Sequence, residues 1–355
     1  MELFSNIYKN KKVIITGDTG FKGSWLAIWL KELGAEVYGY ALPPKTINDN
    51  FVVCNLYEKI HHQDGDIRDF NKLVKYFYKI QPDFAFHLAA QPLVLESYEN
   101  PHYTFETNIM GTVNFFEAIR NTKSVKVALN ITSDKCYKNN NWVWGYREND
   151  PMGGKDPYSA SKGCSELITD TYINSFFINS NCNIASVRAG NVIGAGDWAE
   201  DRIVPDYFRA LISNKKLIVR NPNATRPWQH VLEPLSGYLL LASKLFYDKR
   251  YSGGWNFGPK DEMNFSVIEL LDEINKLEKS VDFISDNNVN KPYEARFLKL
   301  DISKAVFELR WEPVLSFSDT IKFTVEGYLN DIYKKMDPYQ NRVSTIKHYI
   351  EKIPK

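Results

Sequence analysis

Tyr158 and Lys162 lie four residues apart in Asp156-Pro157-Tyr158-Ser159-Ala160-Ser161-Lys162-Gly163, a stretch that reads as the start of a helix. On a helix that spacing sends both side chains out from one face. An ammonium held beside a phenol favours the phenolate, so the Tyr158 pKa is expected to fall from about 10 toward working pH. A phenol so tuned can take the proton of an alcohol or sugar hydroxyl during hydride transfer to a nicotinamide. The bland alternative is a solvated helix face, because Tyr-x-x-x-Lys arises by chance in many helices. A second group, Ser133-Asp134-Lys135, brings hydroxyl, carboxylate and amine together directly after the apolar run Val125–Thr132.

The elements that must position these groups begin near the N-terminus. Lys12-Val13-Ile14-Ile15-Thr16 reads as a short strand, followed by Gly17-Asp18-Thr19-Gly20-Phe21-Lys22-Gly23 and a helical apolar run from Ser24 to Leu33 that stops at Gly34. Strand, Gly-x-x-Gly-x-x-Gly, helix is the nucleotide-binding opening of a doubly wound parallel sheet. Gly17 makes the turn, Gly20 lets the backbone approach a pyrophosphate, and Gly23 lets helix and strand pack closely. The N–H groups at the helix start favour the phosphate charge.

A second strand, Glu36–Tyr40, runs into Ala41-Leu42-Pro43-Pro44, which offers no carboxylate to a ribose 2′-hydroxyl and no arginine to a 2′-phosphate. NAD and NADP therefore both stay open at this point. Asp66 and Ile67, after a third strand, either embrace an adenine edge or belong to a turn with a helix N-cap at Asp69. Phe84–Ala90 reads as a buried parallel strand whose end, Leu88-Ala89-Ala90, suits close approach of a cofactor. His87 within it reads as a hydrogen-bonded core histidine. Pro101 to Arg120 makes a long helix containing Asn108 and Gly111. The next strand, Val125–Thr132, delivers Ser133, Asp134 and Lys135 to its carboxyl end, where open parallel sheets place their active residues.

Composition narrows the class. The 355 residues carry 44 Lys+Arg against 43 Asp+Glu, so neither nucleic acid nor an acidic membrane surface is an expected partner. No apolar run has the length of a membrane span, and the first residues do not read as a signal peptide. Cys54, Cys136, Cys164 and Cys182 show no Cys-x-x-Cys spacing, so reduced thiols, no metal site and a cytoplasmic location are expected.

Together the Thr-Gly-x-x-Gly-Phe-x-Gly opening, the Leu88-Ala89-Ala90 strand end, Asn108 with Gly111, and Tyr158-x-x-x-Lys162 resemble the extended short-chain dehydrogenase/reductase superfamily. The likeness to its nucleotide-sugar branch continues through Arg188–Gly194 and Asn256-Phe257-Gly258. More narrowly, Thr132–Tyr137, Trp144–Asn149, Gly196-Asp197-Trp198 and Arg226–Val231 resemble the CDP-glucose 4,6-dehydratase family.

That resemblance, from about Lys12 to Trp311, implies a doubly wound Rossmann sheet with a smaller C-terminal α/β substrate lobe. It divides the chain into a dinucleotide-binding unit, 1–188 plus about 227–258, and a nucleotide-sugar unit, 189–226 plus about 259–355. It implies a redox-neutral lyase with a tightly held NAD: C4 of the glucosyl ring is oxidised, water leaves across C5 and C6, and hydride returns to C6. Tyr158 would take the hydroxyl proton, with Ser133 on the same oxygen. Asp134 would be the acid for the leaving hydroxyl. Lys135 replaces the glutamate of most relatives, either as a neutral-amine base at C5 or as a cation on the developing enolate. An epimerase or decarboxylase on the same scaffold, or a non-catalytic nucleotide sensor, is the competing reading.

The cofactor would lie against Gly17, Thr19, Gly20, Phe21, Lys22, Gly23, Asp66, Ile67, Leu88, Ala89, Ala90, Asn108, Thr132, Tyr158, Lys162 and Arg188. The nucleotide sugar would lie against Gln91, Asn191, Arg202, Arg226, Asn256 and Arg296, with guanidinium forks on the diphosphate. Arg188 could equally serve a structural ion pair. The Pro101–Arg120 helix and the helix after Tyr158 would build a four-helix bundle in a homodimer, or in a tetramer made from it. The Lys334–Lys355 tail, poor in apolar residues, is expected at the periphery.

Overall fold

The structure, a computed structural model, describes residues 3–260, 265–278, 281–285 and 298–354. Seven strands form its centre: β1 Lys12–Thr16, β2 Glu36–Ala41, β3 His61–Asp64, β4 Phe84–His87, β5 Val127–Ile131, β6 Asn183–Ala189 and β7 Gly253–Phe257. Their spatial order is 7-6-5-4-1-2-3 and every pairing is parallel. The order reverses between β1 and β4, which opens the crevice where such sheets bind ligands. This is the doubly wound sheet read from the sequence.

Side-chain alternation along the strands divides the core in two. Val13 and Ile15 of β1 face one way, onto Trp25, Leu26 and Trp29 of the helix Phe21–Glu32. Ile14 faces the other way, into a cluster with Leu73, Phe77, Phe115 and Phe116. Parallel strands covered on both faces must be apolar throughout, and β5 is buried along its whole length.

The long helix expected from Pro101 is one run with a widened turn: Pro101–Phe105, a π-turn Glu106–Met110, then Gly111–Thr122. Gly111 is required there, since a Cβ would lie 2.9 Å from Ile67 Cγ2. The helix carrying Tyr158 runs Pro157–Tyr172 and continues as a π-turn to Phe177. Asp156 caps it by accepting from Ser159 N at 2.9 Å, and Pro157 fills the first turn, where no N–H is needed.

After Gly190 the alternation breaks up as expected. Three two-stranded ladders, Val192–Ile193 with Gln229–His230, Thr225–Arg226 with Phe265–Ser266 and Leu217–Val219 with Phe283–Ser285, join the helices Ile203–Ser213, Val267–Leu277 and Phe317–Ile332. They enclose a separate core with Tyr207, Phe208, Leu270 and Tyr328. Helix Leu232–Tyr247 and β7 return to the main sheet. Phe297 lies outside the described residues; Leu300 bridges to Tyr146.

The C-terminal segment corrects its expectation. Pro338–Lys352 is a helix with a fully buried Arg342, whose guanidinium reaches Asp331 at 2.5 Å and Asn50 Oδ1 at 2.8 Å. Tyr349 stacks edge-on against Trp29 at 5.8 Å and donates to Glu233 at 2.7 Å. The segment's mean polarity concealed a single apolar stripe, Tyr339, Val343, Ile346 and Ile350, at helical spacing. Among the described residues no helix is long and apolar enough to cross a membrane.

Candidate active site

β5 ends at Ile131, and the chain turns through Thr132 and Ser133 into a single 3-10 turn, Asp134–Cys136. Ser133 makes that turn: its hydroxyl accepts from Lys135 N at 3.3 Å and donates to Asp134 Oδ1 at 2.9 Å. The helix from Pro157 packs directly on it and brings in Tyr158 and Lys162. Ser133, Asp134, Tyr158 and Lys162 are all buried, and Lys135 is half-buried beside them. All five residues read from the sequence as candidates for catalysis therefore lie together at the carboxyl edge of the sheet.

The expected electrostatics do not hold. Burial pushes the Tyr158 phenol up to about 12; Ser133 hydrogen-bonds it and pulls the other way, Asp134 adds to the rise, and Arg202 draws it down. The Lys162 ammonium is turned to the Ile131 carbonyl, 3.5 Å away. Burial lowers Lys162 itself to about 8, against the pull of Glu166. Lys22, also brought down to about 8 by burial, feels Lys162, Asp134 and Arg202, so the glycine loop adjoins the cluster.

That loop fits a dinucleotide. Gly17 has φ +82°, and a Cβ on it would lie 2.6 Å from Ala89 N, so the first turn and the β4 end touch backbone to backbone. At Gly23 a Cβ would fall 2.1 Å from Gly17 O. Gly20 is exposed, and no side chain caps the helix it begins, so the helix start is left for an anion. Thr19 Oγ1 ties the loop to Leu42 O at 2.9 Å. His87 is the core histidine expected, 2.7 Å from Thr16 Oγ1 and stacked on Phe115.

Several residues expected at a ligand also hold the scaffold. Arg188 is buried in an ion pair with Glu166 at 2.7 Å and donates to Tyr137 Oη at 2.6 Å. Thr132 donates its hydroxyl to the same Glu166. Asn256 accepts from Tyr137 Oη at 2.7 Å and donates to Tyr146 O and Asp301 O, which fills its amide. Gln91 is filled likewise by Leu93 and Thr104. Asn108 joins Gln91's main chain to Ser161 Oγ at 2.9 Å, so it locks the π-turn to the helix that carries Tyr158. A buried polar group needs partners, and these have found theirs within the chain.

Asp66 is taken up by Arg68 at 2.6 Å, and Asp69 caps the helix Phe70–Ile80 by accepting from Lys72 N at 3.0 Å, as the turn reading had it; Ile67 is buried. Asn191 is half-buried just beyond β6, next to Gly190, where an added Cβ would lie 3.2 Å from Asp134 Oδ2. Arg202 pairs with Asp197 at 2.8 Å, and Arg226 donates to Thr225 O at 2.9 Å. Arg296 lies outside the described residues. Glu166 is the residue that sequence reasoning passed over. It follows Lys162 by four positions on the same helix face, a signal that was there to be read.

Comparison with known proteins agrees with this geometry. Residues 14–324 match the family model described as GDP-mannose 4,6 dehydratase. A CDP-glucose 4,6-dehydratase of Salmonella typhimurium is 49% identical over 323 residues, covering 89% of this chain and 90% of that one. Among solved structures, an epimerase of Methanothermobacter thermautotrophicus superposes with a TM-score of 0.80 at 23% identity, covering 94% of this chain and 96% of the other. A dTDP-glucose 4,6-dehydratase of Bacillus anthracis in complex with NAD gives 0.74 at 18% identity, covering 93% and 98%. These last two share the fold. With its whole site inside the matched span, the chain belongs to the GDP-mannose 4,6 dehydratase family of extended short-chain dehydrogenase/reductase proteins.

Proposed function

We propose that this chain is a nucleotide-sugar 4,6-dehydratase that turns CDP-D-glucose into CDP-4-keto-6-deoxy-D-glucose and water, with NAD as its resident cofactor. The observation that carries this is Ser133, Asp134 and Lys135 on one tight turn against Tyr158, beside a glycine loop shaped for a dinucleotide. The activity named for the Salmonella relative supports it. When bound, NAD supplies a reversible hydride acceptor and the positive charge of its oxidised ring.

Gly17, Gly20 and Gly23 hold the pyrophosphate against the uncapped helix start, and Ala89 and Ala90 leave room beside it. Tyr158 Oη takes the proton of the C4 hydroxyl, with Ser133 Oγ donating to the same oxygen. Asp134 hands its proton to the C6 hydroxyl as that group leaves as water. Lys135 takes the C5 proton that the C4 ketone has acidified. An epimerase needs no such acid–base pair. Asn191, Arg202 and Arg226 face the nucleotide diphosphate, and 189–226 with 259–355 form the substrate unit beside a cofactor unit of 1–188 and 227–258.

Incubation with CDP-, dTDP- and UDP-glucose and GDP-mannose, followed by mass spectrometry, tests the substrate. Water loss from CDP-glucose is expected, with solvent deuterium entering at C5 of the product. Loss from another sugar alone, or an unlabelled C5, overturns the assignment. Replacing Lys135 by Met is expected to abolish the C5 exchange.

The Pro101–Thr122 and Pro157–Phe177 helices expose Phe105, Met110, Leu167 and Phe176, which supports a four-helix bundle between two copies. Leu167, 59% exposed, is expected to lose its cover only when the copies part. Leu167→Glu should therefore halve the mass measured by sedimentation without lowering the melting temperature of the monomer's own core. The buried or half-buried reduced cysteines accord with a cytoplasmic enzyme.

A further inference from the structure

Where β2 ends, the chain has no acid for the adenosine ribose: Tyr40, Ala41 and Leu42 fill those positions. In register beside Ala41 stands Asp64, the last residue of β3. Its side chain is 58% exposed, and its Oδ1 is 3.1 Å from His62 Nε2. The other ring nitrogen of His62, Nδ1, is 2.7 Å from Asp18 Oδ2. Both His62 and Asp18 are buried side chains, and Asp18 belongs to the glycine loop, between Gly17 and Thr19. Asp18 lies so closely over β2 that a Cβ on Gly39 would fall 1.9 Å from it. Phe51 and Tyr57 close around the imidazole, with ring centroids at 5.0 and 5.4 Å. Asp18 Oδ1 is buried without a hydrogen-bond partner among the described residues.

An imidazole between two carboxylates can donate from both nitrogens only when protonated. Burial works against that form, but Asp18 and Asp64 outweigh it and hold the His62 pKa above its ordinary value. The charged or titratable groups facing His62 are Asp18 of the glycine loop, Asp64 of its own strand and Tyr57. A rigid chain of two hydrogen bonds thus runs from the loop that cradles the pyrophosphate to a solvent-facing carboxylate one strand over from the usual ribose-reading position.

We infer that Asp64, oriented by His62 and Asp18, accepts the hydroxyls of the adenosine ribose and makes this chain select NAD over NADP. The assignment rests on the reading of NAD as cofactor given above. A ribose diol offers two donors to a carboxylate with free acceptor capacity, whereas a 2′-phosphate would meet the same charge as repulsion. The neighbouring cations are already engaged. Arg68 is held by Asp66 at 2.6 Å and Glu106 at 2.8 Å, and the Lys72 ammonium donates to Asp64's main-chain oxygen at 2.7 Å. Asp64 is the specificity residue; His62 and Asp18 are positioning residues.

Calorimetric titration of the full chain with NAD and with NADP tests this without reference to turnover. Asp64→Ala should bind NAD about tenfold more weakly, the loss of one charge-assisted hydrogen bond, and should bind NADP at least as well as before. His62→Gln should weaken NAD binding less and remove its pH dependence. In the wild type, NAD affinity should fall as pH rises through the raised His62 pKa, because the second hydrogen bond is lost with the proton. Unchanged NAD affinity and an unchanged NAD-to-NADP ratio in Asp64→Ala would overturn the assignment, as would an identical pH profile in His62→Gln. A wild-type chain that takes up neither dinucleotide would refute the cofactor reading itself, and this assignment with it.

Discussion

Tyr158→Phe should lower kcat by about 10²- to 10⁴-fold, the span that one positioned proton acceptor contributes, and leave nucleotide binding intact. The ring is buried at the start of a capped helix, so phenylalanine keeps its packing and removes only the oxygen. What disappears is the group that can take a hydroxyl proton where Ser133 also points. Because burial holds the phenol high, at about 12, wild-type turnover should rise with pH through the neutral range, and the variant should lack that rise. Steady-state kinetics from pH 6 upward, with nucleotide titration as a control, provide the check. Unchanged turnover would put Tyr158 outside the chemistry and favour a nucleotide-sensing role for the fold.

Glu166→Leu should cost about 3–5 kcal/mol of stability, the typical penalty for leaving one member of a buried pair alone. The carboxylate accepts from Arg188 at 2.7 Å, from Ser186 Oγ at 2.6 Å and from the Thr132 hydroxyl. Burial by itself would raise its pKa; Arg188 and those hydrogen bonds outweigh burial and bring it below the ordinary glutamate value. A depressed carboxyl pKa gives stability that is present above the unfolded-state value of about 4.3 and is lost as pH falls through the folded one. The wild type should therefore lose stability in acid more steeply than the variant. Denaturant midpoints at pH 7, and followed downward in pH from about 4.3, measure both effects, and an unchanged midpoint at pH 7 would show that the pair contributes nothing net.

The frame of this molecule was legible because its signals are local. A strand, three glycines at fixed spacing and a helix specify the opening unit, and Tyr158 with Lys162 declares one helix face. The turn after β5 was legible for the same reason. Its charge state was not, since that depends on burial by residues far off in sequence and on where Lys162's ammonium turns. The internal partners of the amides were hidden for the same reason: nothing in a row of letters joins Asn256 to Tyr137 and Tyr146, or Gln91 to Thr104. Asp18 and His62 are 44 positions apart, and no periodicity links them. The tail was misjudged because average polarity was weighed instead of the face it buries.

That tail carries a consequence for biosynthesis. The helix Pro338–Lys352 covers Trp29 and ties Tyr339 to Glu32, so a helix made late in synthesis completes the part of the protein made early. Until it arrives, an early apolar surface stays uncovered, a state that invites chaperone capture and aggregation. Damage to that helix should be felt first as poor yield of soluble protein, before any change in the chemistry of the few molecules that mature.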